Sequence, residues 1–214
     1  DEHRVVLVEK NAQHYFAPSF LWLMVGERKP EQITQDVRLL VKSGVEVIIA
    51  GVGGREIAGS HGVTVKADVA LEEYRGTPDA VILPGGLPGA ENLGRSTAVA
   101  ELVGRMHAQR KVIGAICAAP ALVLAPKGIL DGRTATCYPS FEQRFTPKTT
   151  FSEERVVRDG HVITSRGPGS ALEFSLALVD ALMSIQNRTE GRLDRLAEAQ
   201  RAMYVIDNDL AQLS

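Results

Sequence analysis

Several short runs in this chain are apolar without a break: Val5–Val8, Ala80–Leu83 and Val112–Ala115 carry no polar residue. A strand with one wet face alternates apolar and polar residues, whereas an unbroken Val/Ile-rich run is covered on both faces. That pattern belongs to parallel strands held between two layers of helices. Further strands are expected over Val45–Ala50, Thr134–Cys137 and Val162–Ser165. Helices are expected over Glu31–Ser43, Thr97–Gln109, Ala118–Ala125 and Ala171–Ile185. Gly44 follows the first as a stop signal. Ser170 with Glu173 reads as a capping box for the last. Asp159-Gly160, between two β-rich segments, predicts a hairpin. This order of elements predicts an α/β fold with a doubly wound, mostly parallel sheet and helices on both faces, and ligands beyond the carboxyl ends of the strands.

The chemistry-bearing segment is Ala115-Ile116-Cys117-Ala118-Ala119-Pro120, where a strand runs directly into a predicted helix. Small residues two before and two after the cysteine fit a sharp strand-to-helix elbow, because bulky ones clash in the strained turn. The elbow lifts the sulfur out of the sheet, to a helix end whose dipole and free N–H groups favour negative charge. Cys117 is therefore a candidate reactive thiolate. The glycine pair Gly85-Gly86 follows another strand end and lets backbone N–H groups turn towards a ligand. With the elbow it makes a candidate oxyanion hole from the N–H groups of Gly86 and Ala118. Cys137-Tyr138-Pro139 ends a further predicted strand, which would face the same crevice.

Composition removes several classes of function. A net charge of −2 carries no electrostatic footprint for nucleic acid or anionic membranes. The longest apolar stretch, Tyr15–Val25, is too short to span a bilayer. Two cysteines, Cys117 and Cys137, make no disulfide framework, and a reducing, cytoplasmic setting is the simpler expectation. The chain starts at Asp1 and not at a methionine, so a removed targeting segment stays open. The histidines at 3, 14, 61, 107 and 161 form no HxxxH or HExxH, and the cysteines form no CxxC, so no metal is expected. Gly51-Val52-Gly53-Gly54 does not complete GxGxxG and no Walker loop is present, so no nucleotide cofactor is expected either. The chain reads as a single domain over 1–214, with leucines 193, 196, 210 and 213 predicting a C-terminal helical extension over 189–214.

Three segments together resemble the ThiJ/PfpI superfamily, in the branch of the parkinsonism-associated protein deglycase and its bacterial relatives. They are Val81–Gly86 with Gly89–Leu93, Gly114–Pro120, and Thr164–Gly169 with Glu173-Phe174. The resemblance implies a flavodoxin-like three-layer sandwich, usually a homodimer. It implies Cys117 as nucleophile and oxidisable thiol, with Gly86 and Ala118 as oxyanion donors and Arg166 and Pro168 near the site. It further implies cofactor-free glyoxalase or deglycase chemistry on a small carbonyl substrate such as methylglyoxal, or on glycated protein. The alternative it leaves open is a non-catalytic redox-sensing or chaperone-like homodimer.

Two departures from the family pattern stand out. Tyr138 occupies a position where many relatives carry a histidine. An apolar insert over 9–30 replaces the usual short loop after the first strand. Counting back from Gly44, the position of the family's proton-carrying glutamate falls on Gln32, with Glu31 one residue away. Gln32 can hydrogen-bond but cannot take a proton.

Overall fold

The computed structural model describes residues 3–7, 13–15, 34–36, 45–59 and 64–184. In chain order the strands are β1 (His3–Leu7), β2 (Gln13–Tyr15), β3 (Thr34–Asp36), β4 (Val45–Gly51), β5 (Glu56–Ala58), β6 (Thr64–Lys66), β7 (Val69–Ala70), β8 (Ala80–Leu83), β9 (Val112–Ile116), β10 (Thr134–Ala135), β11 (Thr150–Phe151), β12 (Val156–Asp159) and β13 (Val162–Ser165). Helices cover Gly89–Arg95, Thr97–Ala108 and 171–184. Two compact units divide the chain, Asp1–Leu178 and Val179–Ser214.

Seven strands form the main sheet in the order β12-β13-β9-β8-β1-β4-β7. Within this sheet, among the described residues, only the β12–β13 pair is antiparallel. The run β4-β1-β8-β9-β13 is the flavodoxin-like order, in which the winding reverses beside β1. The expected hairpin closes one edge, with Asp159 paired to Val162 and Gly160 at φ 64°. A positive φ there suits glycine, which has no Cβ to clash.

β9 has a different helix on each face. Ile113 and Ala115 join the core with Val99, Leu102, Val103 and Met106 of the helix Thr97–Ala108. Gly114, between them, points the other way. A Cβ on Gly114 would come within 3.0 Å of Phe174 and 2.8 Å of Leu178, so only a glycine lets these two helical residues approach so closely. The α/β sandwich expected from the unbroken apolar runs is thus the fold observed.

Four local expectations are corrected. Ala118–Ala125 is not an α-helix but a turn, a π-helical turn over Pro120–Leu124 and a 3-10 turn over Ala125–Lys127. Pro126 has no N–H to bond the Leu122 carbonyl, so the ladder widens and Ala125 N donates to Pro120 O instead. The strand expected over Thr134–Cys137 stops at Ala135 and pairs with β11, outside the main sheet. The position beside β13 is already taken by β12, and Thr136 N donates to the Thr164 hydroxyl at 3.0 Å. Thr34–Asp36, inside the helix expected over Glu31–Ser43, is a strand paired antiparallel with Gln13–Tyr15 of the insert. Finally, Glu173 does not close a capping box with Ser170 but grips Arg155, with its oxygens 2.9 and 3.0 Å from Nε and a terminal nitrogen. The remainder of the insert over 9–30 and the extension over 189–214 lie outside the described residues.

Candidate active site

Cys117 follows the carboxyl end of β9 and holds φ at 65°. For a residue with a Cβ this left-handed backbone costs on the order of 1–2 kcal/mol, and surrounding contacts must hold it. They are visible on both sides of the residue. Cys117 N donates to Ser165 O at 2.9 Å, and Cys117 O accepts from Tyr138 N at 2.8 Å. The elbow is fixed by the ends of two neighbouring segments, β13 and the stretch after β10. Because its own N–H is engaged, Cys117 is not itself an oxyanion donor.

Gly85 closes the site from β8. A Cβ there would lie 2.4 Å from Cys117 Cβ, 2.8 Å from Ile116 O and 3.0 Å from Cys117 Sγ. Any side chain at 85 would take the space the thiol occupies. Gly86 follows at φ 79° and turns the chain into the helix Gly89–Arg95, accepting from Ala90 N at 2.8 Å. Ala118, next after the thiol, is buried. The short π and 3-10 turns behind it carry little of the long-helix dipole expected from the residue pattern.

Tyr138 is 45% exposed and rests edge-on against Phe141 at 6.3 Å between ring centres. Its other neighbour is Gly167, where a Cβ would lie 3.2 Å from the Tyr138 ring. Arg166 is half-buried, and its guanidinium donates to Glu153 O at 2.7 Å. Pro168 opens an exposed 3-10 turn that ends at the buried Ser170. Ser165 and Ser170 hydroxyls lie 2.7 Å apart, and Ser170 also bonds Gly167, so the turn is fastened to the end of β13. Glu31 and Gln32 lie outside the described residues.

Cys137 is fully buried. Burial pushes its thiol up to about 12, helped by the charge of Glu142 and by Cys117 and opposed by Arg166. Two buried polar atoms beside it, Thr136 Oγ1 and Glu142 Oε2, have no hydrogen-bond partner among the described residues. The residue pattern gave no sign of Glu142 or Ser165. Ser165 was findable from strand order, because a parallel neighbour of β9 ends level with it.

The model of the DJ-1/PfpI family matches residues 26–181. This chain belongs to the DJ-1/PfpI family. A Parkinson disease protein 7 homolog of Danio rerio is 40% identical over 155 residues, covering 70% of this chain and 82% of its own. The glutathione-independent glyoxalase DJR-1.2 of Caenorhabditis elegans is 36% identical, over 70% of this chain and 79% of its own. The chain spans only 37% of the length of protein DJ-1 homolog B of Arabidopsis thaliana, at 35% identity. Among solved structures, Drosophila melanogaster DJ-1beta superposes with a TM-score of 0.68 at 29% identity, covering 90% of this chain and 98% of that one. Among the described residues no His/Cys/Asp/Glu group of three or more could hold a metal, and no helix is long and apolar enough to cross a membrane.

Proposed function

We propose that this chain is a cysteine-dependent, cofactor-free glyoxalase or deglycase acting on 2-oxoaldehydes such as methylglyoxal or on early glycation adducts. The observation that carries the reading is the strained Cys117 elbow with Gly85 packed against its side chain. In this reading the Cys117 thiolate adds to the aldehyde carbon and the carbonyl oxygen becomes a hemithioacetal oxyanion. The N–H groups of Gly86 and Ala118 stabilise that charge. A proton then moves from the former aldehyde carbon to the neighbouring carbon, giving a thioester of the 2-hydroxy acid. Water cleaves the thioester, releasing lactate from methylglyoxal and restoring the thiol. The net change is addition of one water, with no external oxidant or reductant. The proton carrier is Glu31 if its carboxylate reaches the site; Gln32 can only hydrogen-bond. Arg166 and Pro168 flank the substrate, and Tyr138 with its exposed ring offers an apolar wall and a hydroxyl. A phenol is in general a poor base at neutral pH.

A specific observation favours a second reading, a redox-sensing or chaperone-like homodimer. Cys117 is a free, partly exposed thiol that an oxidant can reach, and sensing demands less proton traffic than turnover. Lactate formation from methylglyoxal without glutathione separates the two. Wild-type turnover that is lost in Cys117→Ala and reduced in Glu31→Gln supports the enzyme. Wild-type turnover no higher than that of a folded Cys117→Ala protein overturns it.

A further inference from the structure

We infer that Cys137 is the resolving partner of Cys117, so that mild oxidation closes an intramolecular disulfide across the site. The two thiols lie on segments already joined by one backbone bond, Tyr138 N to Cys117 O at 2.8 Å. From each Cα to the bonded atom is about 2.4 Å, so the two Cα atoms are at most about 7.6 Å apart. That limit needs all the atoms in a straight line. The bends at the carbonyl oxygen and at the amide nitrogen bring the pair towards the roughly 4.4–6.8 Å span of disulfides.

The two sulfurs also divide the labour that such a pair needs. Cys117 is partly exposed and meets an oxidant first, whereas Cys137 is shut away from solvent. Burial holds Cys137 as a thiol, so it does not compete for peroxide. Hydrogen peroxide transfers one oxygen to the Cys117 thiolate, giving a sulfenic acid and hydroxide. The sulfur loses two electrons and the O–O bond takes them. The Cys137 sulfur then attacks the Cys117 sulfur. An S–S bond forms, the S–O bond breaks, and hydroxide leaves with the Cys137 proton as water. A protonated partner attacks slowly, so scarce peroxide favours the disulfide and excess peroxide carries Cys117 on to sulfinic acid.

This inference rests on the reading of Cys117 as the reactive thiol, and it adds a reversible off-state to that site. The test treats reduced protein with one equivalent of hydrogen peroxide, alkylates it, digests it with trypsin without reduction and weighs the peptides. Cleavage at Lys111, Lys127, Arg133 and Arg144 places the two cysteines on separate peptides, 112–127 and 134–144. Expected is a linked pair holding most of Cys117, released by dithiothreitol. In Cys137→Ser, sulfinic Cys117 is expected to build up about fivefold faster than in wild type. Wild type that gives sulfinic Cys117 at the Cys137→Ser rate overturns the inference, as does a linkage found only between two chains. Lactate formation by the reduced protein, measured alongside, keeps the two readings apart. Turnover without the linked peptide removes the disulfide alone, whereas a linked peptide without turnover removes the enzyme alone.

Discussion

Gly85 and Cys117 are in contact through the space a methyl group would need: a Cβ at 85 would sit 3.0 Å from the sulfur and 2.4 Å from Cys117 Cβ. Neither the Ile116 carbonyl nor the elbow can yield without breaking the bonds to Ser165 and Tyr138. Gly85→Ala is therefore expected to displace the thiol and cut Cys117-dependent turnover by about 100-fold, the scale of a 1 Å misplacement. The rate of thiol alkylation checks it independently of substrate. An unchanged alkylation rate would show that the site gives way without moving the sulfur.

The left-handed backbone at Cys117 carries its own prediction. Cys117→Gly removes the Cβ that makes φ 65° costly, whereas Cys117→Ala keeps it. The glycine variant is expected to match or exceed the alanine variant in urea-unfolding stability, by up to about 1 kcal/mol. At an ordinary strand or turn position the glycine would be the less stable of the two.

A histidine pair lies away from the candidate site, His161 Nε2 to His107 Nδ1 at 3.0 Å. Burial, then Arg133, His107 and Arg110, push His161 down to about 4 against the opposing pull of Asp159. Burial and Arg133 lower His107 as well. The unfolded chain therefore binds more protons than the folded one between about pH 6.5 and pH 4. The stabilisation is full above that window and is lost as pH falls through it. Since His161 is partly open to solvent, about 1 kcal/mol is expected by pH 4.5. Urea unfolding of wild type and His161→Gln at pH 7.5, 5.5 and 4.5 isolates the effect from the carboxylates. A wild-type-minus-variant difference that stays constant across the three would contradict it.

Glu142 has a buried carboxylate oxygen with no partner among the described residues, and its charge raises the Cys137 thiol. Glu142→Gln removes the charge of a half-buried side chain whose Oε2 is buried, and is expected to stabilise the fold by about 1 kcal/mol. It should also lower the pH at which Cys137 ionises. A thermal melt and the pH dependence of Cys137 alkylation in a Cys117→Ala background measure the two effects.

The strands that form the centre of the sheet were legible because their signal is local. β8, β9 and β13 are short Val/Ile-rich runs, and the Asp159-Gly160 turn marks its hairpin within two residues. Cys117 was legible for the same reason, since small residues around a cysteine at a strand end are a contiguous pattern. What failed depends on distant partners. The strand through Cys137 was cut short because β12 already fills the edge of β13. Glu173 left its cap for Arg155, 18 residues away. The π turn after the elbow did have a local cause in Pro126, whose missing N–H outweighs the helix-forming alanines around it. Glu142 has no periodic or motif signature, and only its burial singles it out.

The way Tyr138 holds the elbow has a consequence for how freely this position can change. It grips the Cys117 carbonyl through its main-chain N–H, and its ring lies outside that contact. Any residue except proline can supply that grip. Position 138 is thus free to exchange histidine for tyrosine without loosening the thiol's support, and the exposed ring is left to meet what approaches from solvent.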